Sequence, residues 1–160
     1  MRILRAIHPE VLKYLPGKLV LDEGETEELV LSQIRELINR RDGRCFLPVC
    51  LDKEELKAFI VAVSHPDQTH VYVYQAWAEP GFPSILSKKM FLQLLLWTSA
   101  LGHTHLRMET RRSPEGFMRR WGFEHYSTTM AYRIPKNFED TLLLGTSGEL
   151  DLKQKVNGDS

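Results

Sequence analysis

The 160-residue sequence has the length of one ordinary domain, which is enough to bury a hydrophobic core. Its 21 lysines and arginines balance its 21 aspartates and glutamates, so net charge argues for neither a nucleic-acid partner nor a membrane surface. Two cysteines form no disulfide framework, the amino terminus lacks a signal-peptide core and no apolar run could span a membrane, so we expect a protein of the cytoplasm or of a particle's interior.

The first half of the chain predicts an amphipathic helix followed by three strands. Apolar side chains recur at helical spacing over residues 25–41, after an acidic start that suits the positive end of the helix dipole, and Asp42 with Gly43 ends the helix. The positions expected on its buried face are Leu29, Leu31, Ile34, Leu37 and Ile38. The three strands are expected at residues 44–51, 56–64 and 69–78. Residues 18–21 are a further candidate strand.

The second and third of these strands are expected to form an antiparallel hairpin, because a tight turn joins them. The second is apolar on both faces, which predicts a central position in the sheet. Strict alternation places Val71, Val73, Gln75 and Trp77 on one face of the third strand, and Tyr72, Tyr74 and Ala76 on the other. These aromatic residues favour a core and cleft lining, because a base-stacking platform needs a basic surround that the hairpin lacks.

The second half of the chain predicts a long apolar helix, a strand, a short helix and a final strand. The long helix is expected to run to Leu101, with Ser84 or Ser87 as its cap and Gly102 as its end. A helix this apolar must pack against a sheet. The other elements are expected at residues 103–110, 113–121 and 123–134.

Together these elements predict an α/β (α+β) domain over residues 1–135. Its central sheet is expected to be mixed and mostly antiparallel, with helices on both faces. Periodicity disappears after Pro135. Residues 136–160 are therefore expected to form a tail that is loosely packed or ordered by a protein partner.

Two pairs of candidate metal ligands are present, but neither predicts a metal site. Cys45 and Cys50 lie five residues apart in an expected strand, so they point to opposite faces, and buried structural thiols are the favoured interpretation. His103 and His105 share a strand face, but no carboxylate or thiol pattern completes a coordination shell. We therefore expect no metal cofactor.

The segment FMRRWGFE, residues 117–124, resembles the aromatic-tyrosine-x-x-x-glycine-phenylalanine segment of the GNAT acetyltransferase superfamily, in which a short helix runs into the next strand. A long apolar helix and a strand precede it at the matching spacing. The resemblance covers roughly residues 25–134. It implies a GNAT-like fold and transfer of an acetyl group from acetyl-coenzyme A to an amine of a small molecule or a protein.

The resemblance also implies where the site residues lie. In that family the strand before the long helix diverges from its neighbour, a backbone amide of that strand binds the thioester carbonyl, and the helix start binds the pyrophosphate. The corresponding candidates for cofactor binding are Trp77, Ala78, Ser84, Ser87 and Lys88. A carboxylate or an ordered water removes the amine proton. The candidates for acid–base catalysis are Glu79, Glu109 and Tyr126.

The sequence departs from the family pattern in two places. Residues 79–88 hold one glycine and two prolines where the family has two glycines, and proline lacks the N–H donor. Met118 stands where the family has the tyrosine that protonates the leaving thiolate, and a thioether gives no proton. A second interpretation is therefore a non-catalytic GNAT-fold interaction protein, such as a virion or accessory protein of a bacteriophage.

A third interpretation rests on a concentration of arginines around the short helix. Its members are Arg107, Arg111, Arg112, Arg119 and Arg120. They suit a phosphate, a nucleic-acid backbone or an acidic partner. The structural alternative is a surface salt-bridged to the acidic residues 22–28. Lys88 and Lys89 have the same two interpretations, an anion site or a solvated helix face.

Overall fold

The computed structural model describes residues 1–6, 8–110 and 114–126. The described residues fall into two compact units, one ending at residue 110 and one starting at residue 114. The first unit contains the whole sheet that is described below. The domain end expected at residue 135 and the tail over 136–160 lie outside the described residues and stay predictions.

The sheet of the first unit is mixed and mostly antiparallel, as the sequence predicted. Its strands are β1 (Arg2–Arg5), β2 (Cys45–Phe46), β3 (Pro48–Asp52), β4 (Glu55–Ser64), β5 (His70–Ala78) and β6 (His105–Met108). The strand order is β1-β3-β4-β5-β6, and β2 pairs with β4 beside β3. Every pairing is antiparallel except β5 with β6, which is parallel. The apolar strand β4 is central, as expected.

The helices of the described residues are a 3-10 helix and three α-helices. The 3-10 helix is Pro9–Tyr14, and the α-helices are α1 (Glu27–Asn39), α2 (Ser84–Ala100) and α3 (Pro114–Trp121). Thr26 caps α1 by accepting a hydrogen bond from the Leu29 N–H at 3.2 Å. Within these residues, no helix combines the length and apolar character needed to cross a bilayer.

The buried face of α1 is shifted from the expected one. Val30, Ile34 and Ile38 are buried at a regular spacing of four, whereas Leu29 is 47% exposed. The expectation that Leu29 faces the core is wrong, because a continuous stripe at that spacing centres the contact surface on Val30.

Helices α1 and α2 pack on opposite faces of the sheet. Phe59 and Val61 of β4 belong to the core that contains the buried residues of α1. Ala58 and Ala62 belong to the cores that contain the buried residues of α2. Because these two sets alternate along one strand, they define an α1 face and an α2 face of the sheet.

Two expectations for the first half of the chain are corrected by the sheet. Residues 18–21 are not a strand, and the edge strand is instead β1. The strand expected over 44–51 is broken at Leu47, so that β2 and β3 pair separately with β4. Proline at the first position of β3 explains the break, since it has no N–H to donate to a continuous ladder.

A β-bulge interrupts the hairpin of β4 and β5. Val61 pairs with Gln75 whereas the next residue, Ala62, pairs with Val73, so Tyr74 is the extra residue. An extra residue reverses the alternation of side chains on its strand. Residues before and after Tyr74 therefore face opposite sides of the sheet.

The reversal corrects the predicted faces of β5. Val71 and Val73 lie in the α2 core, whereas Trp77 packs against the α1 core. Gln75 lies opposite Val61, on the α1 face as well. The expectation that all four share one face is wrong, because strict alternation does not hold across a bulge.

Candidate functional site

The parallel pairing of β5 and β6 covers only the first half of β5. The paired residues run from His70 with His105 to Val73 with Met108. Strand β6 ends at Met108, whereas β5 continues for five more residues to Ala78. Among the described residues, nothing pairs with this second half of β5 on the side away from β4. We call that side the open edge.

Backbone groups of Ala76 and Ala78 point to the open edge. The Glu79 N–H donates to the Lys57 carbonyl oxygen at 2.9 Å and so points towards β4. Successive backbone N–H groups of a strand point in opposite directions. Ala78 and Ala76 therefore direct their N–H groups away from β4, whereas the N–H group of Trp77 points towards it.

A turn joins the open edge directly to α2. The Phe82 N–H donates to the Glu79 carbonyl oxygen at 3.1 Å, and Gly81 has a φ of 79°. Pro80 and Gly81 thus take the two central positions of a type II turn, which requires a positive φ at the second. The single glycine of the connector is needed for the turn itself.

The start of α2 leaves two backbone donors without a helical acceptor. Pro83 is the residue before the helix, and no side chain caps it. The expectation that Ser84 or Ser87 caps this helix is therefore wrong, and Ser84 is instead its first residue. The N–H groups of Ser84 and Ile85 precede the first helical hydrogen bond.

Two lysines lie one helical turn after the start of α2. Lys88 and Lys89 are exposed, Ser84 is exposed and Ser87 is half-buried. No acidic residue lies in the first turn of the helix. Unpaired N–H groups, the positive end of the helix dipole and two ammonium groups together suit an anion such as a pyrophosphate.

A lysine bridges two carboxylates at the end of β5. Lys57 Nζ donates to the Glu79 carboxylate at 3.1 Å and to the Glu55 carboxylate at 2.9 Å. These hydrogen bonds raise the pKa of Lys57, and the bond from Lys57 lowers the pKa of Glu55. Glu79 is 31% exposed, so its carboxylate is partly open to solvent at the end of the open edge.

Carboxylate charges act on the tyrosines of β5 that lie on the α1 face. Burial raises the pKa of Tyr72, and the charges of Glu109 and Asp22 raise it further. Burial likewise raises the pKa of Tyr74, with further contributions from Glu25 and Asp22. The carboxylates of Asp22, Glu25 and the candidate Glu109 therefore act on the tyrosines of this face. The face also carries positive charge, since Arg107 pairs with Tyr72 and Lys18 lies over Trp77.

The side chain of the candidate Trp77 packs against the α1 core. Its ring stacks on Phe59 with centroids 6.4 Å apart, and Lys18 Nζ lies 5.4 Å from the ring centroid. The side chain thus closes the α1 core beneath the open edge.

The remaining described candidates belong to β6 or to the second unit. Arg107 is the pairing partner of Tyr72 on β6. Met118, Arg119 and Arg120 lie on exposed positions of α3, in the second unit, and Tyr126 is 67% exposed after that helix. Arg111 and Arg112 lie outside the described residues, as does most of the strand expected over 123–134. Phe123–Tyr126, its described part, is not a strand.

The two histidines contact hydroxyl groups, and burial affects the thiol of Cys45. His103 Nε2 and Ser64 Oγ are 2.7 Å apart, and His105 Nδ1 and Thr104 Oγ1 are 2.8 Å apart. Burial raises the pKa of Cys45 to about 11. The described part of the chain contains no group of three His, Cys, Asp or Glu side chains that could hold a metal ion.

Three features together define the GNAT fold of N-acetyltransferases. They are the strand order, the parallel pair that separates after four residues, and the helix α2 that follows the open edge. Comparison with solved structures agrees. An aminoglycoside 6'-N-acetyltransferase AAC(6')-IG from Acinetobacter haemolyticus matches with a TM-score of 0.64 and 15% identity over 84% of this chain and 99% of that chain. The chain therefore has the fold that its sequence resemblance implied.

Two further solved structures give the same result. AAC(6')-Iy in complex with a coenzyme A bisubstrate analogue matches with a TM-score of 0.61 and 15% identity, covering 84% of this chain and 97% of that chain. An acetyltransferase from Trypanosoma brucei matches with a TM-score of 0.55 and 14% identity, covering 83% and 99%. No family model and no curated protein sequence matches the chain.

The structure places the sequence candidates Ala78 and Lys88 at the open edge and near the start of α2, and their roles stay predictions. Gln75 and Ala76 were not among the sequence candidates, because their orientation depends on a bulge that leaves no composition signal. Asp22 and Glu25 were interpreted as part of a solvated helix start, with an internal partner of the arginines as the alternative.

Proposed function

We propose that the protein is an N-acetyltransferase that takes the acetyl group from acetyl-coenzyme A and transfers it to a cationic amine. The observation that carries this proposal is the open edge of β5. It presents the N–H groups of Ala76 and Ala78 beside a helix start with two free donors.

The residues of this region fit coenzyme A. The N–H groups of Ser84 and Ile85 suit the pyrophosphate, and Lys88 and Lys89 supply positive charge one turn further on. The N–H groups of Ala76 and Ala78 suit the amide and carbonyl oxygens of an extended pantetheine arm, which would lie along β5 as an additional strand. The thioester supplies an activated acyl group, whose carbonyl oxygen one of these N–H groups polarises.

Charges of both signs lie near the proposed site. The lysines at the start of α2 lie at the entrance expected for the anionic cofactor. The carboxylates of Asp22, Glu25 and Glu109 act on the tyrosines of the α1 face. Those carboxylates favour a cationic amine, and the matched AAC(6') enzymes are aminoglycoside acetyltransferases by name.

Glu79 is the candidate proton acceptor. It follows the open edge and is partly exposed, so it can accept the proton that the acceptor ammonium must lose before its nitrogen attacks the thioester carbon. As that N–C bond forms and the C–S bond breaks, the nitrogen releases its second proton to solvent and the sulfur leaves as a thiolate that needs a proton. Met118 cannot supply one, so solvent is assigned that step.

Titration calorimetry with acetyl-coenzyme A tests the proposal. The wild type should bind the cofactor and gain thermal stability, since a ligand of the native state stabilises it. Lys88→Ala/Lys89→Ala should bind more weakly, with a shallower salt dependence. The matched double variant is Lys13→Ala/Arg35→Ala, which removes two exposed cations from the 3-10 helix and α1 and should bind normally. No heat and no thermal shift at millimolar cofactor would leave the non-catalytic GNAT-fold interpretation in its place.

A further inference from the structure

A segment that precedes α1 crosses the α1 face of the sheet, and a side chain of β5 hydrogen-bonds to the backbone at its middle. Residues 15–22, which we call the strap, run from the end of the 3-10 helix to the acidic turn before α1. Leu15 is fully buried, and Leu19 and Leu21 pack against the α1 core. The strap has no regular secondary structure beyond a turn at its start, so its backbone groups need partners from outside a ladder.

Gln75 supplies those partners at the middle of the strap. Its Oε1 accepts from the Val20 N–H at 2.9 Å, and its Nε2 donates to the Val20 carbonyl oxygen at 2.8 Å. The Gln75 side chain is 6% exposed. One amide thus satisfies both backbone groups of one residue, as a neighbouring strand would.

This contact lies beside the open edge, along which the pantetheine arm of the proposed cofactor would lie. Gln75 lies in the half of β5 that forms the open edge, two residues after the last pairing with β6. The bulge at Tyr74 turns Gln75 to the α1 face, opposite the helix whose start suits the cofactor. The strap ends at Asp22, whose charge contributes to the raised pKa of Tyr72 and of Tyr74 on that face.

We propose that Gln75 is a positioning residue that holds the strap as a wall of the amine-acceptor site. The inference rests on the proposed function for the identity of the acceptor. Gln75 touches no substrate, but it fixes the height of the strap above β5 and thereby the position of Asp22. It therefore sets acceptor affinity without contributing to cofactor affinity.

Three variants separate this role from a general effect on stability. Gln75→Leu removes both hydrogen bonds and keeps a side chain of similar size. Gln75→Glu keeps both bonds only while its carboxyl group is protonated, because a protonated carboxyl has one O–H donor and one acceptor oxygen. Gln33→Leu is the matched control, since Gln33 bonds Tyr74 Oη on the same face but does not touch the strap.

The first measurement is hydrogen exchange in the full-length protein, which needs no substrate. In Gln75→Leu the Val20 amide should exchange at least tenfold faster than in the wild type, while the amide of Val61 in the central strand keeps its protection. Unchanged exchange at Val20 would overturn the role of Gln75 in holding the strap, whatever the protein's activity.

The second measurement is calorimetric binding of neamine and of coenzyme A. Gln75→Leu should weaken neamine binding at least fivefold and leave coenzyme A binding unchanged. Because position 75 is buried, the pKa of the carboxyl introduced by Gln75→Glu should be raised, so this variant should resemble the wild type at pH 5 and Gln75→Leu at pH 8. Equal neamine affinity in Gln75→Leu and the wild type, or no neamine binding by the wild type, would overturn the acceptor wall. Failure of the wild type to bind coenzyme A would instead overturn the proposed function.

Discussion

Val73 and Met108 are the last residues at which the two parallel strands of the sheet pair. Beyond this pair β5 continues to Ala78 while β6 has ended. An unpaired strand edge is a binding surface for an extended group, because its N–H donors are already oriented and can pair with a ligand. The predictions below follow from this separation and from the two cores beside it.

Replacing Ala78 by proline should weaken cofactor binding without unfolding the protein. The Ala78 N–H points away from β4, so its loss removes no hydrogen bond of the hairpin. One hydrogen bond contributes about 0.5–1.5 kcal/mol, which corresponds to roughly a 2- to 13-fold loss of acetyl-coenzyme A affinity. Calorimetry checks the affinity. Trp77→Pro is the contrast, because its N–H faces β4 and its loss should lower the melting temperature strongly.

Glu79→Gln should lower kcat for acetyl transfer by roughly 100-fold or more, the usual effect of losing a general base. Glu55→Gln is a matched control, since Glu55 bonds the same Lys57 ammonium from the start of β4. It should leave kcat within about twofold of the wild type. Steady-state rates over a range of pH check both variants. Equal losses in the two would show that the ion pair, and not proton transfer by Glu79, limits the rate.

Leu94→Ala should destabilise the fold by about 2–5 kcal/mol, because Leu94 is 1% exposed and its removal leaves a cavity beneath α2. Leu96 lies two residues later on the same helix and is 70% exposed. Leu96→Ala should change the free energy of unfolding by no more than about 0.5 kcal/mol. Urea titration measures both values, and similar losses would contradict the described packing of α2.

Stability should fall as pH drops below about 6.5, the ordinary pKa of histidine. Burial lowers the pKa of His70 in the native state, and the nearby charges of Arg107, His103, His105 and His65 lower it further. The unfolded chain then binds more protons than the native one, so stability is complete above pH 6.5 and is lost below it.

His70→Gln removes this contribution. Its free energy of unfolding should change less between pH 7 and pH 5 than that of the wild type. Urea titrations at several pH values give the comparison. An unchanged pH slope in His70→Gln would place the titrating group elsewhere.

Much of the fold follows from local patterns in the sequence. The helical spacing over 25–41, the turn between β4 and β5 and the apolar helix ended by Gly102 each depend on neighbours along the chain, and each predicted element is present. The order of these elements, with the segment around Gly122, was enough to indicate the GNAT fold.

The sequence alone therefore determined the main helices, the central hairpin and the fold to which they belong, but not β1 or the division of the strand expected over 44–51. The tertiary structure decided which groups face the open edge. The bulge at Tyr74 turns Gln75 and Trp77 to the α1 face, and the early end of β6 frees the N–H groups of Ala76 and Ala78. Register and strand length depend on pairing between residues distant in sequence, and a one-residue shift leaves every local pattern unchanged while it moves each side chain to the opposite face.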